Sequence, residues 1–314
     1  MAVKLSDIVR CPRCRGLLEK LEDRPLCTNP GCRYFAEGFE RAGGQPVLID
    51  FERSIFDRPR SDAMPSILPR DRSLRDRVLD IFRGGNPTSV ANSHMMRCSM
   101  KALSAEPTLL VIGGGRVGPG VDTFLQDDSF QVVATDAYAS PNTQLITDAH
   151  HLPFDDAVFD GVWIQAVLEH VLEPQVVVDE IWRVLKPTGL VYAETPFMAQ
   201  VHEGAYDFTR FTASGHRWLF RRFEQIAAGV NRGYGPGQAL AWSIRWFVRA
   251  FVGDKIAHAV AIPFYWLRLL DRFTRARSCA DGALGFYFLG RKSERSLAPK
   301  DMVAYYESQL TWAT

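Results

Sequence analysis

The sequence predicts an α/β protein built on an open, mostly parallel sheet, with a small metal-bound module in front of it. Three observations predict this. From Pro107 onward, strand-like runs alternate with helix-like ones. The first of these runs, TLLVIG, opens a glycine-rich turn in which Gly113, Gly115 and Gly118 spell G-x-G-x-x-G. Four of the six cysteines fall between Cys11 and Cys32.

The 314 residues suffice for one large domain and a small one. A 46% hydrophobic and 23% charged composition is that of a globular chain rather than a disordered one. The net charge of +1 argues against a dedicated nucleic-acid binder, although it hides an asymmetry. Asp122 to Glu194 holds thirteen acids against two bases, whereas Ala205 to Lys292 holds fourteen bases against five acids. The N-terminus, MAVKLSDIVRCPRC, lacks the apolar core of a secretory signal. No window of about 18 uncharged apolar residues occurs, so no spanning helix is expected. A cytoplasmic location follows as the expectation, and with it cysteines that serve as metal ligands or thiols rather than disulfides.

Cys11 and Cys14 form a C-P-R-C pair, and Cys27 and Cys32 a C-T-N-P-G-C pair. Two short loops with two thiolates each can enclose a tetrahedral zinc ion, and four thiolates leave no open position for chemistry. The site is therefore expected to be structural, with metal supplying most of the folding energy of a module this small. LLEKLEDRPL between the pairs predicts a hairpin, and Pro46-Val47-Leu48-Ile49 the closing strand of a zinc ribbon over residues 1–50. Residues 51–100 read as a connector: SDAMPSILPRDRS is broken by two prolines, and RSLRDRVLDIFRGG has helical spacing ended by Gly84-Gly85. Cys98 and Cys279 stand alone and read as buried thiols.

The glycine turn alone does not name its ligand, since dinucleotides and S-adenosylmethionine both use such turns. QVVATDAY is the second strand, and Asp136 at its end suits a ribose diol in either class. The block ITDAHHLPFDDAVFDGVWIQAVLEHV does discriminate. With Asp148-Ala149, Leu152-Pro153-Phe154, Phe159-Asp160, Leu168-Glu169-His170 and the following R-V-L-K-P-T-G ending at Gly189, the chain from Leu109 to Pro196 resembles the class I S-adenosylmethionine-dependent methyltransferases. That resemblance implies a Rossmann-like seven-stranded sheet over residues 101–293, with a tail at 294–314. It also implies cofactor contacts from Gly113, Gly115, Asp136, Asp148, Ala149 and Gln165, with His150 and Leu152 flanking the adenine. The family usually has an acid two residues before the first glycine, where this chain has Val111; its loss bears on how the cofactor's amino-acid end is held.

For a hydroxyl acceptor, methyl transfer needs an in-line nucleophile and a base within reach. His170 is one candidate. In some methyltransferases of this class a Glu-x-x-Glu-His arrangement holds magnesium, but here Ala166 replaces the first acid. The better cluster follows the fifth strand, in HEGAYDFTRFT, which resembles a subgroup of bacterial methyltransferases. There His202 or Asp207 is the expected base, with Tyr206 and Arg210 beside it. The structural alternative pairs Asp207 with Arg210 and uses Thr212 as a helix cap.

FEQIAAGVNRG and ALGFYFLGRK predict the last antiparallel strand pair, separated by a basic, aromatic helical insertion at 236–282. Its arginines and tryptophans suit a helical pair packed on the domain, a homodimer interface or a peripheral membrane contact. The expected function is methyl transfer to an oxygen of a small-molecule, glycan or lipid-linked acceptor. Two rivals are a zinc-ribbon ribosomal RNA base methyltransferase, disfavoured by the ribbon's mixed charge and few aromatics, and a non-catalytic docking protein.

Overall fold

The computed structural model describes residues 4–57, 86–308 and 311–312. The proline-broken segment at 61–73 and the helical reading of 72–85 lie outside the described residues. The strands are β1 (Leu18–Glu19), β2 (Leu26–Cys27), β3 (Arg41–Ala42), β4 (Gln45–Leu48), β5 (Thr108–Ile112) and β6 (Gln131–Asp136). They continue with β7 (Leu145–Thr147), β8 (Phe159–Gln165), β9 (Leu185–Pro196), β10 (Phe223–Val230), β11 (Gly285–Lys292) and β12 (Thr311–Trp312).

Ten of them form one sheet, in the order β12-β10-β11-β9-β8-β5-β6-β7-β4-β3. The expectation of seven strands is thus corrected to ten. Seven of them, β7 through β10 in that order, make the central run, with β11 antiparallel to both of its neighbours. The addition of β4 and β3 at one edge and β12 at the other brings the total to ten. The strand expected to close the cysteine module lies at Gln45–Leu48 and does more than close it. It pairs in parallel with β7, Val47 beside Ile146, and so joins the module to the main sheet.

The central strands are short continuous apolar runs because both faces of the sheet are covered. Leu110, Ile112, Val162, Ile164, Val191 and Ala193 pack into one core, which the helix Pro174–Val184 covers with Val177, Val178, Ile181 and Val184. The alternate residues Leu109, Val111, Trp163, Leu190 and Tyr192 pack into the other with Met96 and Met100. These methionines come from the helix Pro87–Leu103, which starts sharply because Pro87 fits its first turn and Asn86 accepts a hydrogen bond from the Ser89 amide at 3.1 Å. Gly161 lets that helix approach: a Cβ there would sit 2.6 Å from Met96 Cε. The first core also contains Cys11, Cys27, Cys32, Tyr34 and Phe39, so the cysteine module shares its interior with the sheet. Of the two isolated cysteines, Cys279 is buried as expected, but Cys98 is exposed on the outer side of its helix.

Between β10 and β11 the chain forms the helix Pro236–Val252, a reversal at Gly253 with φ +81°, the helix Asp254–Ala261, a 3-10 run over Ile262–Phe273 and a last helix Ala276–Asp281. Only a residue without Cβ takes that φ at no cost. Ala241, Ala261 and Tyr265 pack together inside the insertion. Its outer face leaves Phe247, Phe251 and Phe273 about 70% exposed, at 69%, 74% and 73%. Among the described residues no helix is long and apolar enough to cross a membrane.

Candidate active site

The strand order reverses between β5 and β8, and a cavity of about 910 Å³ opens there at the carboxyl ends of the strands. This is where open α/β sheets bind ligands. Its wall includes Gly113, Asp136, Asp148, Ala149 and Gln165 at one end, and Glu169, His170, His202 and Tyr206 further along. Gly115, Leu152 and Asp207 are not part of it.

The glycine turn is built by close approach. Gly113 has φ +80°, and a Cβ on it would lie 2.2 Å from Val167 Cγ2. The amides of Gly113 and Gly114 both donate to the Thr135 carbonyl at 2.9 Å, which ties the turn to β6. Gly115 then donates to Asp136 Oδ2 at 2.7 Å, and a Cβ on Gly115 would meet that same oxygen at 2.7 Å. Gly115 therefore positions Asp136 and does not itself line the cavity. Burial pushes the Asp136 carboxyl up to about 6, against the amides of Gly115 and Ala137 that favour its charged form. The residues present fit a nucleoside cofactor: the glycines leave room for it, and Asp136 offers a carboxylate at the wall.

Asp148 is buried at the end of β7 and caps the turn that follows, accepting from the His150 amide at 3.0 Å. Its Oδ1 lies 2.6 Å from His150 Nδ1, and its Oδ2 accepts from the Ser54 hydroxyl. Burial raises the Asp148 carboxyl, but these hydrogen bonds prevail and hold it below its ordinary value. His150 Nε2 in turn accepts from the Glu173 amide at 3.2 Å. His150 is a link in this chain as well as a wall residue. Ser54 sits in the strap after β4, and its neighbours Ile55 and Phe56 also line the cavity. Sequence reasoning missed all three, because nothing local ties them to a residue 94 positions away.

It also missed Glu194. This carboxylate is buried at the end of β9 and accepts from Asn86, Ser89, Gln165 and Tyr192. Burial raises its pKa while the donors pull it back. Gln165 is thereby fixed, with its Nε2 2.9 Å from Glu194, and Gly118 has no Cβ to collide with Gln165 Oε1. Val111 is buried and apolar at the cavity wall, so no acid stands at that position.

At the far end, His170 and His202 meet edge to face, with ring centroids 4.9 Å apart. His170 Nδ1 lies 2.8 Å from the Tyr206 carbonyl. Burial, and then the neighbouring His202, bring the His170 pKa down to about 4. Asp207 is clamped by Arg210 on both oxygens and holds the His202 amide at 2.8 Å. Thr212 caps the helix Ala213–Leu219 by accepting from the Gly215 amide. The insertion supplies the rest of this end, with Gln238, Trp242, Arg245 and Tyr265 beside Tyr234.

Apart from the cavity, the sulfurs of Cys11, Cys14, Cys27 and Cys32 all lie within 4.8 Å of one another. The Cys11–Cys32 and Cys14–Cys27 separations are 3.8 and 3.4 Å. Four thiolates about 2.3 Å from a central zinc ion would be about 3.8 Å apart, so the set fits such an ion.

Residues 117–193 match the methyltransferase domain family. Over that stretch the chain is similar to methyltransferases. Two curated relatives of the domain are demethylmenaquinone methyltransferases. That of Clavibacter sepedonicus is 34% identical over 42% of this chain and 46% of its own length. That of Mycolicibacterium paratuberculosis is 34% identical over 39% of this chain and 50% of its own length. The chain thus spans about half the length of each. Among solved structures, Haemonchus contortus phosphoethanolamine N-methyltransferase 2 with S-adenosyl-L-methionine aligns over 65% of this chain and 53% of that one, at 15% identity and TM-score 0.41. Burkholderia thailandensis 1,6-didemethyltoxoflavin-N1-methyltransferase aligns over 74% and 95%, at 15% identity and TM-score 0.39.

Proposed function

We propose that this protein transfers a methyl group from S-adenosylmethionine to an oxygen of a small acceptor that enters beneath the helical insertion. The observation that carries the reading is the continuity of one cavity from the glycine turn and Asp136 to the two histidines and the aromatic wall of the insertion. Bound there, the cofactor supplies an electrophilic methyl on a sulfonium whose departure leaves a neutral thioether.

The chain's own part is positioning, water exclusion and one proton. Asp136 accepts the ribose hydroxyls. Asp148 and Ala149, with Ile55 and Phe56 of the strap, enclose the adenine. Asn86 and Gln165, both held by Glu194, take the amino-acid end in place of an acid at position 111. Tyr206, Tyr234, Trp242 and Tyr265 wall the acceptor. His202 receives the proton of the acceptor hydroxyl, its ring oriented by Asp207, whose Oδ2 is 3.4 Å from His202 Nδ1. Asp207 itself is turned from the cavity and locked by Arg210, which makes it a positioning residue in this reading. The four cysteines hold a structural zinc ion.

A small acceptor is favoured over RNA by the placement of the module. Arg10 pairs with Asp155, and Arg15 with Asp156 and Glu180, so these cations are spent on the sheet domain's own acids. Incubation with methyl-labelled S-adenosylmethionine and a fractionated cell extract tests the reading. Label in the small-molecule or lipid fraction is expected, and label confined to RNA would overturn it.

A further inference from the structure

Glu169 lies on the 3-10 turn Leu168–His170 after β8, 1% exposed, and neither of its carboxylate oxygens has a hydrogen-bond partner among the described residues. Burial pushes this carboxyl up to about 8, so it either keeps a proton or, when ionised, needs a cation to compensate it. Two imidazole nitrogens are turned toward it. His170 Nε2 is 3.7 Å and His202 Nε2 3.8 Å from Glu169 Oε1. In a metal-ligating histidine the other ring nitrogen donates to a carbonyl or a carboxylate, which fixes the tautomer and frees the ligating lone pair. Both rings here have that arrangement. His170 Nδ1 is 2.8 Å from the Tyr206 carbonyl, and His202 Nδ1 is 3.3 Å from the Gln200 carbonyl and 3.4 Å from Asp207 Oδ2, itself clamped by Arg210. The loop is pinned to the turn by the Phe208 and Thr209 amides, which donate to the Glu169 carbonyl at 2.8 and 3.2 Å.

We propose that Glu169, His170 and His202 bind a divalent first-row transition-metal ion at the acceptor end of the cavity. One atom from each lies within 4.8 Å of the others. Ligands about 2.1 Å from one ion in a tetrahedron are about 3.4 Å apart, so each histidine would close on the Glu169 oxygen by about 0.3–0.4 Å. Two imidazoles and one carboxylate select a transition metal over magnesium or calcium. The three residues face the cavity, so the ion keeps open positions toward the acceptor. Its role there rests on the methyl-transfer reading: an acceptor hydroxyl coordinates, loses its proton to solvent water, and attacks as the oxyanion. The lone pair of His202 is then a metal bond, and the ion replaces it in activating the acceptor.

The probe is Mn²⁺ added to protein carrying a single equivalent of zinc, held by the four cysteines, followed by electron paramagnetic resonance and calorimetry. One Mn²⁺ site per chain is expected, weakened at least tenfold in Glu169→Gln and in His202→Ala and by about tenfold in Asp207→Asn. Zinc content and thermal unfolding of each variant report the fold. Absence of a stoichiometric Mn²⁺ site in the wild type, or equal affinity in all folded variants, overturns the proposal. Methyl transfer that persists without any bound ion overturns it too, and leaves His202 as the base. Failure of cofactor binding instead strikes the methyl-transfer reading and leaves the metal site standing.

Discussion

Ser54, on the strap that follows the cysteine module, donates a hydrogen bond to Asp148 at the end of β7, in the wall of the cofactor cavity. With β4 paired to β7 and Phe56 stacked near Tyr206 at 6.0 Å, the module is part of the site. Ser54→Ala removes a hydrogen bond to a charged group, and such bonds contribute about 1.5–3 kcal/mol. Because His150 still holds Asp148, the low end applies. S-adenosylmethionine is expected to bind roughly tenfold more weakly, measured by titration calorimetry, with zinc content unchanged.

Asp136 predicts a pH dependence of cofactor affinity. Its pKa in the free protein is raised to about 6, and the ribose hydroxyls need the ionised form as acceptor. Affinity should rise from pH 5 to pH 7 and level off above it, falling about tenfold per unit well below 6. The dependence should flatten in Asp136→Asn. Binding curves at four pH values between 5 and 8 check this.

His216 predicts the acid limit of stability. Its ring is buried among Phe211, Phe220 and Phe288, and burial lowers its pKa to about 3, with Arg217 adding to the shift. The unfolded chain takes up a proton near 6.5 while the folded one does not. This stability is therefore present above pH 6.5 and lost progressively as pH falls toward 3. The loss amounts to about 2 kcal/mol at pH 5 relative to pH 7. His216→Phe should remove that part of the pH dependence in denaturant titrations at the two pH values.

The outer face of the insertion predicts a peripheral contact with anionic lipid. Phe247, Phe251 and Phe273 are exposed together with Trp266 and Leu269, on a segment rich in arginine. Apolar burial and basic charge together bind such surfaces. The protein should co-sediment with vesicles containing phosphatidylserine, less so at high salt, and Phe247→Asp with Phe251→Asp should abolish this. Sedimentation indifferent to anionic lipid would contradict it.

Much of the fold is written locally. The apolar runs of β5, β6 and β8 and the turn at Gly113 are readable because each is a short local pattern, whereas Asp148 stands out only through the resemblance to methyltransferases. The cysteine spacing and the β10–β11 pair read equally well. What was not readable rests on distant contacts. Pro46–Ile49 has the same apolar character whether it closes a ribbon or edges a larger sheet, so its pairing with β7 left no mark. Glu194 looked like one more strand residue; its donors Asn86 and Ser89 lie over a hundred positions away. The insertion showed its amphipathic helices, but not that Trp242 and Tyr265 turn into the cavity.

On the proposed reading the glycine crevice holds S-adenosylmethionine with Val111 in place of an acid. Calorimetric titration of zinc-loaded protein with S-adenosylmethionine and S-adenosylhomocysteine, repeated on Asp136→Ala and Asp148→Ala, tests it most directly. Micromolar, one-to-one binding lost in both folded variants is the predicted result. No binding by the folded wild type, or binding unchanged in both variants, would rule out a cofactor site in the glycine crevice.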